Sequence, residues 1–167
     1  MTIAQVNDLD DQQFVQQVGW VFEHSPWVAG RACASRPFPS AATLHEALVK
    51  TMYDASEAEQ LALLCAHPDL GHRARMSEAS TSEQSGAGLE ELTQTEFEEL
   101  QLLNSEYKQK FGFPFLYAVK GSTKHDILAA LRSRLPQDRD SEFKEALRQV
   151  TRIARFRLES LIDGTIS

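Results

Sequence analysis

The chain has 167 residues, 42% hydrophobic and 25% charged, which fits one globular domain with an ordinary core and excludes a disordered chain. Its net charge of -7 argues against a general nucleic-acid binder, which needs a basic surface. A small anionic substrate stays open, because one well-placed Arg overrides the global field locally. No apolar run approaches the roughly 20 residues that cross a bilayer.

The chain opens with MTIAQVNDLDDQQF, acidic and without an apolar core, so no secretory leader is expected. From Asp10 to Phe22, the residues Phe14, Val18, Val21 and Phe22 recur at helical spacing. Pro26 suits the first turn of a short helix through Ala34, with Ser25 as its cap. RPFPS, Arg36 to Ser40, is a two-proline loop. Ser40 opens a helix through Tyr53 with Leu44, Ala47, Leu48 and Met52 facing inward. Ser56 and Glu59 form a capping-box pair that starts Leu61 to Ala66. Pro68 biases His67 away from helical backbone, so that helix stops there.

Gly71 to Leu92 is the least regular stretch, dominated by Ser, Thr, Gly and Glu. Thr93 and Glu96 form a second box and open a long helix to about Lys110, whose Phe97, Leu100, Leu103 and Tyr107 keep the helical period. Gly112 and Pro114 break it. A brief period-2 alternation at Phe113 to Val119 is the only strand-like signal. Thr123 to Leu135 is a further helix, followed by a polar PQDRD turn. The last helix runs from Ser141 to about Asp163, with Gly164 as its C′ residue. The ending GTIS is not a peroxisomal address of the SKL type, and a cytoplasmic location is expected. Neither Cys33 nor Cys65 belongs to a CxxC or zinc-type array, so no structural metal is expected, and each is read as a small buried hydrophobe in a reducing compartment. The reading is all-α: one domain over residues 1–167, a bundle of roughly seven to nine helices with two functional-looking loops.

Four features offer chemistry. His67 sits where a helix ends, and the negative end of the dipole favours its charged form while burial opposes it. It is either a general acid/base or a cap on the last carbonyls. Glu83 falls in Ser80-x-x-Glu83, a capping-box pattern, but Gly86 and Gly88 make a poor helix to cap. Ser80, Glu83 and Gln84 together supply hydroxyl, carboxylate and amide groups suited to a substrate rich in N–H and C=O. Arg157 lies inside the apolar stripe of the last helix, formed by Phe143, Ala146, Leu147, Val150, Ile153, Ala154, Leu158 and Leu161. An inward guanidinium needs an anion, either a protein carboxylate or a substrate group. FGFPFLYAVKG, Phe111 to Gly121, is either a hydrophobic plug or an apolar wall whose Phe115 to Val119 backbone reads the edges of a flat ring. A metal at His67, Asp69 and His72 is disfavoured, because HPDLGH lacks a two-His helical spacing. His24, His45, His72 and His125 read as surface residues.

Several of these segments resemble the family of OHCU decarboxylases, which act on 2-oxo-4-hydroxy-4-carboxy-5-ureidoimidazoline in urate breakdown. The matching pieces are RPF at Arg36 to Phe38, AHPDLG at Ala66 to Gly71, SxxEQxGAGL at Ser80 to Leu89, FGFPF at Phe111 to Phe115, and the pair Arg157 and Leu158. They run over most of the chain in the family's order. The resemblance implies an all-α fold, frequent homodimers, and conversion of OHCU to (S)-allantoin and carbon dioxide without a cofactor. It implies His67 as acid/base, Glu83 as its partner at the substrate and Arg157 as a substrate ligand. Pro68, Ser80, Thr81, Ser82, Gln84, Phe115, Leu116, Tyr117, Ala118 and Val119 would shape the pocket. Other ureide chemistry, such as allantoin racemisation or ureide hydrolysis, and a non-catalytic helical adaptor are the alternatives.

Overall fold

The computed structural model describes residues 1–71, 78–164 and 166. Its α-helices, among the described residues, are α1 (Ile3–Asn7), α2 (Asp11–Val18), α3 (Trp27–Ala32), α4 (Ala41–Asp54), α5 (Glu57–Cys65), α6 (Glu78–Gly86), α7 (Gln94–Phe111), α8 (Lys124–Arg134) and α9 (Arg139–Leu161). No strand occurs among the described residues, so the alternation at Phe113 to Val119 does not mark one. None of these helices is long and apolar enough to cross a membrane.

Capping chemistry decides most helix starts. Thr2, Asp10, Ser40, Ser56, Thr93 and Thr123 each accept a bond from the backbone N–H three residues on, and each cap's own N–H donates to the side chain of that third residue. Each such cap is worth about 1 kcal/mol. The Ser56 and Thr93 boxes were legible from sequence, although α5 begins directly after Ser56 rather than at Leu61. Ser25 does not cap α3: its buried hydroxyl donates to Glu23 O at 2.9 Å, and the N-cap is Pro26, with no side-chain bond. The helix expected to reach Phe22 stops at Val18 and tightens into a 3₁₀ turn at Gly19–Val21.

The chain divides into two compact units, Met1–Ala66 with Thr151–Ser167, and His67–Val150. In the first, Phe14, Val18, Leu44, Leu48, Met52, Leu63, Ala154 and Leu158 are fully buried. Phe14 stacks on Phe38 with ring centroids 6.1 Å apart. Cys33 is buried as expected, but Cys65, on the outer side of the last turn of α5, is exposed. His45 is half-buried, its Nε2 3.0 Å from Thr151 O, and so is not a surface residue. His72 lies outside the described residues.

The second unit is built around aromatic rings. Tyr107 lies 4.5 Å from Phe111, 6.0 Å from Phe113 and 5.4 Å from Phe115, centroid to centroid. Phe113 meets Phe143 edge-on at 5.7 Å. Gly112 closes α7 with φ +81°, a left-handed conformation that costs a side chain energy and glycine little. The stretch expected to be least regular, Gly71 to Leu92, contains α6. Its glycines do not break that helix: Gly86 is its last residue, and Gly88 lies beyond it in left-handed backbone.

Candidate active site

His67 follows the C-cap of α5, Ala66, and is only 8% exposed. The backbone after it is pinned from two helices. Asn104 of α7 donates its Nδ2 to Leu70 O at 2.9 Å, and Gly71 N donates to Gln84 Oε1 of α6 at 2.8 Å. Gly71 has φ +74°, and a Cβ there would lie 2.5 Å from Leu100 Cδ2. The backbone angle favours glycine, and a Cβ would also have to push the Leu100 methyl aside. Lys108 Nζ lies 3.3 Å from the Asp69 carboxylate.

Ser80 and Glu83 lie inside α6, so they are not the cap and third residue of a helix start. Helical spacing sorts the segment instead. Ser80 and Gln84, four apart, are each 5% exposed, and Glu83 is half-buried beside them. Thr81 and Ser82 take the exposed side. The segments carrying His67 and Glu83 thus meet through the bond from Gly71 to Gln84.

Phe115, Leu116, Ala118 and Val119 are buried and Tyr117 is half-buried. Part of the backbone expected to meet a ligand already has protein partners. Leu116 O accepts from Arg134 Nη1 at 2.6 Å, Ala118 N donates to Gln149 Oε1 at 2.9 Å, and Val119 O accepts from Ser122 N at 3.0 Å. The Tyr117 hydroxyl lies 2.9 Å from Ser122 Oγ.

Arg157 belongs to the first unit and is 3% exposed, as its place in the apolar stripe required. Its protein anion is Glu23: Nη2 donates to Glu23 Oε2 at 2.8 Å, and Nη1 reaches Trp20 O at 3.2 Å. The carboxylate offsets the cost of burying the guanidinium and fixes its plane.

Sequence reasoning missed Glu23 and a second buried network. Tyr107 donates its hydroxyl to Glu142 Oε1 at 2.6 Å, and Arg134 Nε donates to the same oxygen at 2.8 Å. Burial, then the bond to Glu142, pushes the Tyr107 phenol far above its ordinary range, so it stays a proton donor. The signal was present in α9. Glu142 and Gln149 are seven residues apart and fall in register with Ala146 and Ile153, on the face assigned to apolar residues. Polar residues on such a face are there to be paired.

The chain matches the family described as OHCU decarboxylase over residues 7–159. It is 47% identical over 158 residues to the 2-oxo-4-hydroxy-4-carboxy-5-ureidoimidazoline decarboxylase of Haloferax volcanii, covering 95% of this chain and 94% of that one. A crystal structure of (S)-allantoin synthase aligns with TM-score 0.80 at 33% identity, over 98% of this chain and 54% of that one, so this chain spans about half its length. A crystal structure of an OHCU decarboxylase in the presence of (S)-allantoin, 23% identical, shares the fold with TM-score 0.72 over 93% of this chain and 100% of that one.

Proposed function

This chain belongs to the OHCU decarboxylase family, and we propose that it converts OHCU to (S)-allantoin and carbon dioxide in urate breakdown, without a cofactor. The substrate carries its carboxylate beside a ring C=N. When the C–C bond to the carboxylate breaks, its electron pair flows toward that C=N, so the substrate is its own electron sink. What the protein supplies is orientation and a proton on one face.

His67 is the acid/base, moving the proton of the 4-hydroxyl or delivering the one that forms the new C–H. Glu83 backs it. Help of this kind is worth about 10²–10⁴-fold. Arg157 binds a carbonyl or ureido oxygen as charge shifts; a tight hold on the carboxylate itself would stabilise the ground state. Pro68 shapes the wall beside His67, and Ser80, Thr81, Ser82 and Gln84 supply polar groups from α6. Since Leu116 O, Ala118 N and Val119 O are engaged within the protein, the ring-reading role falls to the other backbone groups of Phe115 to Val119. Residues 1–167 act as one functional domain, as a cytoplasmic homodimer.

The observation that best supports this reading is the Gly71-to-Gln84 bond at 2.8 Å, which ties the strip carrying His67 to the helix carrying Glu83. The test is circular dichroism during coupled urate oxidation, after 5-hydroxyisourate hydrolysis, with wild type and His67→Asn. Wild type is expected to give rapid formation of one optically active allantoin, and the variant a turnover lower by about 10²–10⁴-fold. Slow racemic product with both proteins would refute the reading and favour an adaptor or another ureide substrate. Turnover of (R)-allantoin would point to a racemase.

A further inference from the structure

The stretch 114–119 has neither helix nor turn, yet two side chains on different helices hold its peptide planes. In a trans peptide the C=O of one residue and the N–H of the next point in opposite directions. Leu116 O is taken by Arg134 of α8 at 2.6 Å, and Ala118 N by Gln149 of α9 at 2.9 Å. The Tyr117 N–H therefore points away from Arg134, and the Tyr117 C=O away from Gln149.

Each clamping side chain is itself set by a carboxylate. Gln149, 6% exposed, donates Nε2 to Glu145 Oε1 at 2.8 Å. A carboxylate only accepts, so the amide must turn its oxygen toward Ala118 N. Arg134 donates Nε to Glu142 Oε1 at 2.8 Å, which leaves Nη1 aimed at Leu116 O. Its guanidinium carbon also lies 4.6 Å from the Phe115 ring centroid. Two carboxylates thus orient two side chains, and these orient two peptide planes.

We propose that Gln149 and Arg134 are positioning residues which turn the Tyr117 peptide groups toward the substrate. This rests on the decarboxylase reading above. It assigns recognition of the substrate's amide edge to backbone whose direction is set from behind by Gln149 and Arg134.

The test compares wild type, Gln149→Met and Arg134→Lys by steady-state kinetics on enzymatically generated OHCU and by amide NMR shifts on titration with (S)-allantoin. Methionine fills the same volume but offers no oxygen to Ala118. Lysine keeps the charge but cannot fork between Glu142 and Leu116. Each variant is expected to raise KM about tenfold, the equivalent of one well-aimed hydrogen bond, with kcat changed much less. In wild type the Tyr117 amide is expected to shift with ligand more than the Ala118 amide does. If Gln149→Met unfolds, Arg134→Lys reads the same clamp from its other point, and the wild-type shifts need neither variant. Unchanged KM in a folded variant, or an Ala118 shift exceeding that of Tyr117, overturns the clamp while the decarboxylase reading survives. No turnover and no ligand shift in wild type overturns the decarboxylase reading and the clamp with it.

Discussion

Among the described residues, each unit buries an arginine against a glutamate, and the two pairs differ in what else the guanidinium holds. In the first unit Arg157 and Glu23 have side chains 3% and 0% exposed. In the second, Arg134 and Glu142 are 12% and 3% exposed, and Tyr107 adds a hydroxyl to the carboxylate. Burying an ion pair does not stabilise a fold by itself, since desolvation offsets the attraction. The remaining N–H groups explain the expense. Arg157 reaches Trp20 O in the 3₁₀ turn at Gly19–Val21, and Arg134 reaches Leu116 O in the irregular stretch after α7. Both sites lack a regular ladder to satisfy their carbonyls. The pairs fix backbone that helix geometry does not.

The largest effect should come from splitting the drier pair. Glu23→Gln, or Arg157→Met alone, leaves a buried charge uncompensated and is expected to cost about 3–5 kcal/mol, read from urea unfolding. The double variant Glu23→Leu with Arg157→Met removes both charges and should regain most of that stability. It should not regain turnover, because the proposed substrate contact of Arg157 is gone. A double variant that is stable and fully active would leave Arg157 with the structural role alone.

The second pair should break more gently. Tyr107→Phe removes one hydrogen bond to a charged group, worth about 1.5–3 kcal/mol, while Arg134 keeps Glu142 paired. Because burial and the Glu142 bond hold the phenol protonated, the gap between wild type and Tyr107→Phe should stay constant from about pH 6 to about pH 9. Unfolding midpoints at stepped pH would measure it. A gap that closes in mild alkali would mean that Tyr107 ionises there.

These pairs also show what sequence can and cannot carry. The inward position of Arg157 was legible, since one cation interrupted eight apolar residues of helical period. Its partner was not, because Glu23 lies over a hundred positions away in a segment that read as the end of a helix. Capping boxes at Ser56 and Thr93 were legible because their chemistry spans only four residues. At Ser80 and Glu83 the same pattern was one of two open readings, and α6 encloses both residues, so it is not a cap there. Serine at a plausible cap misled at Ser25, whose hydroxyl found the nearer Glu23 carbonyl. The segments carrying His67, Glu83 and Phe115 to Val119 were singled out from local composition. Gln149, which helps hold that last segment, carried a signal in its place on the apolar face of α9, whereas Arg134 was hidden among the polar residues that end α8.

A third pair, half-buried, supplies the contrast. Glu96 accepts from Lys124 Nζ at 2.7 Å and, as part of its capping box, from Thr93 N at 3.0 Å. The Lys124 bond first, and the Thr93 bond second, hold its carboxyl down at about 2. A folded-state value below the unfolded one means stability that is present above the ordinary carboxylate range and lost as pH falls from about 4.5 toward about 2. Lys124→Met should therefore lower the melting temperature slightly near neutrality, and the gap from wild type should shrink through that acid window. Added salt should narrow it in part, because solvent reaches this half-buried pair. The buried pairs should respond to salt far less, because little solvent reaches them. A Lys124→Met gap indifferent to both acid and salt would mean that the lysine acts through its contact with Glu91 O, 3.2 Å away, rather than through its charge on Glu96.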